Sequence, residues 1–426
     1  MATFDVTSTE FWDRQALDAE QRRVFDICNG CRRCALLCPS FKDLLQSLDR
    51  DEVDGEAERL TAADLGRVVD FCYQCKLCYN HCPYTPPHRW AVDFPRLMLR
   101  ARAVQAKEKG VTRQDRFLGN TALVGTLGSL TAPLSNWANA LPVHRAFMEA
   151  VVGIHKDRNL PRFHRETFSK WFAKHAGRVP DPVTRVALFS TCPVEYNNPA
   201  VGRATVRVLE RNRIDVAMPP QRCCGMPYLD GGAVDEARAQ IDDNVRTLTA
   251  AVREGREIVV PGPTCSYMLK HEYPWLASDT EGAKLVALNT RDLFEYLARL
   301  HAEGRLDTTF QKNPGKIAYH LPCHLKAQNM GTKSADLLRL IPGAQVEVIE
   351  RCSGVDGTWG FKKEYYELSL KVAKPLFDDI EAARPDRIAS DCPLAALQIA
   401  QGTGEKPHHP IQILAEAYGL DEGKDR

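Results

Sequence analysis

The residues of this chain best equipped for chemistry are its cysteines, and their spacing is highly ordered. Cys28, Cys31, Cys34 and Cys38, followed by Pro39, sit in the string CNGCRRCALLCPS. The same spelling returns 44 residues later as CYQCKLCYNHCPY, carrying Cys72, Cys75, Cys78, Cys82 and Pro83. Both runs read C-x2-C-x2-C-x3-C-P, the spacing that holds [4Fe–4S] clusters in bacterial two-cluster ferredoxins. Three cysteines two apart wrap one cube through a tight loop, and the fourth, on the following helix, reaches the other cube. That rule assigns Cys28, Cys31, Cys34 and Cys82 to one cluster and Cys72, Cys75, Cys78 and Cys38 to the other. A pair of four-cysteine zinc sites is the alternative. Zinc motifs, however, rarely place three cysteines at successive two-residue gaps before C-P and then repeat the whole string. Arg32, Arg33 and Lys76 lie inside these loops. They are expected to be solvated and to balance cluster charge, or to dock an acidic partner.

Seven further cysteines are arranged by a different rule. Cys192 pairs with Cys323, Cys223 with Cys352 and Cys265 with Cys392, at offsets of 131, 129 and 127 residues. Three matched positions at a nearly constant offset mark an internal duplication. Each copy alternates short apolar runs with helical patterns. The runs RVALFSTC, IDVAMPP and EIVVPGPTC in the first copy correspond to KIAYHLPC, AQVEVIERCSG and RIASDC in the second. Each copy is therefore predicted to be an α/β unit with a mostly parallel sheet. Functional residues gather beyond the carboxyl ends of such strands, which is where Cys192, Cys265, Cys323 and Cys392 fall.

The elements that must position these groups divide the chain into a helical two-[4Fe–4S] ferredoxin domain (residues 1–100), a helical connector (101–180), a first α/β unit (181–305) and a second, degenerate one (306–426). The fold class expected is thus α+β and α/β combined. A net charge of +1 excludes the strong basic excess of a nucleic-acid binder. The N-terminal residues mix Asp, Glu and Arg from the start, without the pattern of a secretory signal. An odd count of 15 cysteines then points to a reducing, cytoplasmic compartment and to cluster ligation rather than disulfides. Residues 117–143 carry no Asp, Glu, Lys, Arg or His. Ser, Thr and Asn throughout, with Pro133 and Pro142, favour a surface-lying helical pair over a membrane span. Such a pair could contact a quinone or place the protein peripherally on the inner face of a membrane.

QRCCGMP, with Cys192 upstream and Cys265 downstream, resembles the cysteine-rich CCG domain of the heterodisulfide reductases. The order of two ferredoxin motifs, a helical segment and two such domains resembles the family of iron–sulfur subunits that serve anaerobic glycerol-3-phosphate dehydrogenase. PTCSYMLKHEYP, YHLPCH, CSGVDGTWGFKKE, SDCP and HPIQILAEAYG carry the same resemblance. It implies an iron–sulfur cluster on Cys192, Cys223, Cys224 and Cys265. Met268 replaces the fifth cysteine of the non-cubane cluster found in heterodisulfide reductase, so a cube or modified cluster is expected; unligated thiols and zinc are the alternatives. In the second unit Cys323, Cys352 and Cys392 remain, with Ser353 and Ala395 at the other cysteine positions. His324 or Ser353 is the candidate fourth ligand there, for a cluster or for zinc, and a relic site without metal is the alternative.

These readings imply an electron-transfer subunit of an oxidoreductase. It would relay electrons through the two cubes to a cluster in the CCG domains, between a flavoprotein dehydrogenase and quinone. No G-x-G-x-x-G follows a strand, so a flavin or nicotinamide would belong to another chain. Three alternatives remain open. One is an electron donor to a rubrerythrin-like diiron peroxidase, one is direct disulfide reduction as in heterodisulfide reductase, and the third is a zinc-stabilised scaffold.

Overall fold

The computed structural model describes residues 4–175 and 179–420. Its N-terminal part is a small helical bundle whose core is set by amphipathic spacing. The helix Arg14–Cys31 is capped by the Asp13 side chain, which accepts from the Ala16 amide, and it buries Leu17, Val24 and Phe25. Pro39 opens the helix Pro39–Leu48, where its fixed φ and missing N–H suit the first turn. A capping box between Thr61 and Asp64 starts the helix Ala62–Phe71. The Phe94 ring stacks on Phe41 at 4.4 Å and lies 6.0 Å from Phe25. Phe94 begins the long helix Phe94–Lys109, whose Leu97, Met98, Ala101 and Val104 complete this core. Its Leu99 and Ala103 pack instead into the first α/β unit. One helix therefore serves two cores and fixes the bundle to the rest of the chain.

Both α/β units are parallel sheets. The first comprises β1 (Thr184–Leu188), β2 (Ile214–Ala217), β3 (Glu257–Val260) and β4 (Thr290–Asp292) in the order β2-β1-β3-β4. The second comprises β5 (Lys316–His320), β6 (Gln345–Ile349) and β7 (Arg387–Ser390) in the order β6-β5-β7. Matched strands occupy matched places, so the duplication in the cysteine offsets is also a duplication of topology. β4 has no counterpart and escapes the sequence reading, because its three residues TRD carry no apolar run. The two units share one apolar core, in which Val186 and Leu188 join Ile317, Tyr319 and the closing helix Pro410–Ala417. That helix packs on Pro199–Arg211 of the first unit, which gives the C-terminal string HPIQILAEAYG its structural role.

The connector is a chain of short helices, among them Arg113–Gly119, Thr121–Leu130, Leu134–Ala138 and Pro142–Val151. Among the described residues no helix is long and apolar enough to cross a membrane. The expected helical pair is thus a longer surface series broken at Pro133 and Pro142.

His409 caps the closing helix by accepting from the Ile411 amide at 3.2 Å. Burial holds its pKa down at about 3. The unfolded chain protonates this imidazole near pH 6.5 and the folded chain does not, so stability falls as pH drops from about 6.5 toward 3. Folding at pH 5.5 should be about 1.4 kcal/mol weaker than at pH 7.5 through this residue alone. His409→Asn keeps a capping acceptor, and in paired denaturant titrations it should lose that part of the acid sensitivity.

Candidate metal centres

The ferredoxin cysteines are positioned by helix ends. Cys28 and Cys31 lie in the last turn of Arg14–Cys31, which stops at Arg32 in the left-handed region (φ 50°). The first half of this motif is therefore helical rather than the tight loop expected. Cys38 is the N-cap of Pro39–Leu48, and Cys72 is the C-cap of Ala62–Phe71. Cys78 lies within the short helix Leu77–His81, with Cys82 as its C-cap.

These ends converge in two crosswise sets. Cys28 has Cys34, Cys82 and Cys31 as charged neighbours, and burial together with these thiols pushes its pKa up. Burial and the neighbouring Cys82 and Cys31 likewise raise Cys34 to about 11. In the other set, burial and Cys72 raise Cys38 to about 12, against the opposing pull of the Phe41 and Ser40 amides. Burial raises Cys78 as well, with Cys75, Cys72 and Cys38 beside it. Each set thus contains buried thiols that oppose one another's ionisation while helix-end amides favour it. Iron supplies the positive charge that lets such thiols bind as thiolates, so the donor sets fit cubane clusters.

Lys76 departs from the sequence reading. It is 2% exposed, bonds Gln74 Oε1 at 2.7 Å and lies 3.4 Å from Glu272, which is itself 1% exposed. The lysine inside the second loop is therefore not solvated; it plugs the ferredoxin module into the first α/β unit. Arg32 remains at the surface and pairs with Asp49, and Arg33 reaches His81 at 3.3 Å.

In the first unit Cys192 follows β1, Cys223 and Cys224 follow β2, and Cys265 follows β3 within the short helix Pro263–Tyr267. The sulfurs of Cys224 and Cys265 are 3.4 Å apart. The Cys192 and Cys224 thiols donate to Cys223 and hold its pKa well below the ordinary thiol range. Thr121, at the start of Thr121–Leu130, places its hydroxyl 3.4 Å from Cys192 Sγ. Met268 is fully buried in the surrounding apolar core. Gly225, after the paired cysteines, has φ 92°, and a Cβ there would fall 3.3 Å from the Ala237 carbonyl oxygen.

In the second unit Cys323, Cys352 and Cys392 stand beyond β5, β6 and β7. The thiol of Cys352 is turned inward, with Tyr73 Oη at 3.4 Å and the Gly354 amide at 3.3 Å, while the rest of the residue is exposed. Gly354 (φ 66°) leaves no room for a Cβ, which would fall 2.4 Å from the Ser369 carbonyl oxygen. The His324 ring is fully engaged. Its Nδ1 lies 2.9 Å from Thr264 Oγ1, its Nε2 lies 3.2 Å from the Gln74 carbonyl oxygen, and the ring stacks on Tyr267 at 5.2 Å. Ser353 and Ala395 line the same small cavity as Cys323 and Cys392.

Asp356 also faces that cavity, and the sequence reading misses it. Its carboxylate is 3.6 Å from Cys323 Sγ. Burial and the nearby Asp230 raise its pKa to about 8. The available signal is an acid between two glycines, three residues after the position where the second cysteine of CCG is lost. The aromatics mainly pack or bond: Trp359 donates to the Asp70 carbonyl at 2.9 Å, Tyr319 donates to Asp391 at 2.6 Å, and Tyr196 lies 3.4 Å from Thr126.

The ferredoxin set of Cys72, Cys75, Cys78 and Cys38 is adjacent to the second unit. Cys323 has Cys75 as a charged neighbour, and Cys75 has Cys38 and Cys352. The first-unit cysteines lie instead beside the connector through Thr121.

Comparison with known proteins agrees with this layout. The family model described as Citrate utilization protein B Fer4-like domain matches residues 21–108. The model described as Cysteine-rich domain (CCG) matches twice, at residues 186–270 and 317–400. The C subunit of anaerobic glycerol-3-phosphate dehydrogenase from Escherichia coli K12 is 31% identical over 398 residues, covering 92% of this chain and 98% of that protein. The B subunit of fumarate reductase (CoM/CoB) from Methanothermobacter marburgensis is 29% identical over 59% of this chain and 50% of its own length. Lactate utilization protein A of Geobacillus thermodenitrificans is 29% identical over 56% of this chain and 98% of its own length.

The crosswise grouping makes a direct prediction for anaerobically purified variants. Cys82→Ser should disturb the EPR signal of the cluster on Cys28, Cys31 and Cys34, and Cys38→Ser that of the cluster on Cys72, Cys75 and Cys78. Damage confined to the cluster encoded by the same motif would refute the assignment.

Proposed function

The chain belongs to the family of the C subunit of anaerobic glycerol-3-phosphate dehydrogenase, and on that premise we propose that it carries electrons from a flavoprotein dehydrogenase to quinone at a membrane surface. It is an iron–sulfur electron-transfer component of a dehydrogenase or reductase complex of that kind. Clusters on its cysteine sets supply one-electron transfer.

The observation that carries the quinone end of this reading is the surface beside Cys192. Thr121, which touches that cysteine, opens the connector helices. Along them Leu127, Leu130, Leu134, Trp137 and Phe147 are each more than half exposed. Exposed apolar side chains concentrated on one stretch of short helices point to an interaction site, and helices that lie in an interface bury such side chains among lipid chains. The first-unit cysteines would then stand next to the face where a lipid-soluble acceptor arrives. The opposite end, at Cys28, Cys31, Cys34 and Cys82, carries Arg32 and Arg33 at the surface and would face the flavoprotein.

Replacing exposed apolar groups there with acids tests this reading. Each lost Leu or Phe insertion is worth about 1.5–3 kcal/mol, and about 1.4 kcal/mol is tenfold in partition. The variant Leu127→Glu/Leu134→Glu/Phe147→Glu should therefore lose co-flotation with liposomes by well over tenfold. It should lose reduction of a membrane quinone in parallel, and keep its iron content and its reduction of a soluble dye. Unchanged flotation and quinone reduction would overturn the membrane end of the reading.

A further inference from the structure

We infer that Asp356 is a cluster ligand of the second α/β unit, an oxygen donor that completes a set with Cys323, Cys352 and Cys392. This rests on the reading of that unit as an iron–sulfur site. The first unit shows what the fold requires there, namely four thiols at the ends of β1, β2 and β3. The second unit supplies only three, because Ser353 stands at the position matching Cys224. The Asp356 carboxylate lines the same cavity as Ser353, Cys323 and Cys392. Its Oδ2 is 3.6 Å from Cys323 Sγ. The ligand atoms of Cys323, His324 and Asp356 all fall within 4.8 Å of one another. Cys352 and Cys392 each have the same carboxylate as a charged neighbour.

Competing donors fit less well. His324 already uses both ring nitrogens, one toward Thr264 of the first unit and one toward Gln74 of the ferredoxin loop. Turning it to a metal would break contacts on both sides. Ser353 offers a hydroxyl, which must lose its proton to match a carboxylate. Asp356 has no such competing commitment: among the described residues no Lys, Arg or His approaches it within ion-pair distance. Even a half-buried carboxylate with no cation in ion-pair distance is costly to keep charged unless a proton or a metal neutralises it. Carboxylate oxygen is also a harder and weaker partner for cluster iron than thiolate. The iron it holds is therefore the one most readily lost from the site.

Iron analysis and EPR of the full-length, anaerobically reconstituted protein test the assignment. Asp356→Asn preserves shape and should release about one iron per chain, with a three-iron cluster signal appearing in the oxidised protein. Asp356→Cys should retain the wild-type iron count with an altered spectrum, and Ser353→Ala should match wild type. Unchanged signals from the two ferredoxin clusters and unchanged circular dichroism report an intact fold. An Asp356→Asn protein with wild-type iron and spectra would overturn the inference, as would the same loss produced by Ser353→Ala. Zinc in the second unit, or wild-type iron accounted for by the other three sites, would overturn it together with the cluster in that unit. Either result leaves the relay through the ferredoxin sites standing.

Discussion

A thiolate withdrawn from water is unstable unless positive charge stands beside it, and this chain buries or half-buries all but one of its cysteines. Its 15 cysteines are free, and only Cys352 lies on an exposed residue, with its sulfur still turned inward. Within each ferredoxin set, burial and neighbouring thiols raise the cost of ionisation. Helix-end amides, such as those of Ser40 and Phe41 at Cys38, offset part of that cost. For these thiols to bind as thiolates, iron would supply the remainder; otherwise they stay protonated. Folding and metal loading are therefore linked: the helix ends and strand ends of three units are arranged so that the thiols meet where iron can hold them.

The same constraint governs how the units are joined. Lys76 and Glu272 form an ion pair with both partners nearly water-free. Removing one partner of such a pair typically costs about 3–5 kcal/mol, because the other charge is left uncompensated. Close by, the single imidazole of His324 in the second unit touches Thr264 of the first unit and Gln74 of the ferredoxin loop. These two contacts lie against the loop that carries Cys72, Cys75 and Cys78. The spacing between that site and its neighbours is thus set by directional polar contacts in a dry environment, a setting that resists drift. For electron transfer, which falls steeply with distance, a rigid junction at this point matters more than one at the periphery.

Much of this is legible in the sequence, and the limits have physical causes. Among the described residues, six of the seven strands lie in short apolar or alternating runs that end near a cysteine, and the nearly constant cysteine offset anticipates that the two units repeat one topology, seen as β2-β1-β3 and β6-β5-β7. The C-x2-C-x2-C-x3-C-P spacing places the last cysteine of each run at a helix end, with Cys82 beside Cys28 and Cys38 beside Cys72. Lys76 looks solvated in sequence because its local neighbours say nothing about Glu272, which lies 196 residues away. Asp356 escapes notice for the same reason, since a carboxylate in a glycine-rich turn resembles ordinary turn chemistry until β5 brings Cys323 beside it. Which α/β unit stands next to the ferredoxin module is likewise a matter of tertiary order that local sequence does not carry. The thiols beside Cys75 are Cys323 and Cys352, whereas Cys192 faces the connector.

The proposed relay depends on redox-active iron being held by these cysteine sets. Its most direct test is an EPR redox titration of the anaerobically purified chain, combined with iron, acid-labile sulfide and zinc analysis. The expected result is iron matched by sulfide, little zinc, and reduced spectra broadened by magnetic interaction between clusters at the Cys75–Cys352 junction. Stoichiometric zinc with negligible sulfide, and no signal at any potential, would contradict it.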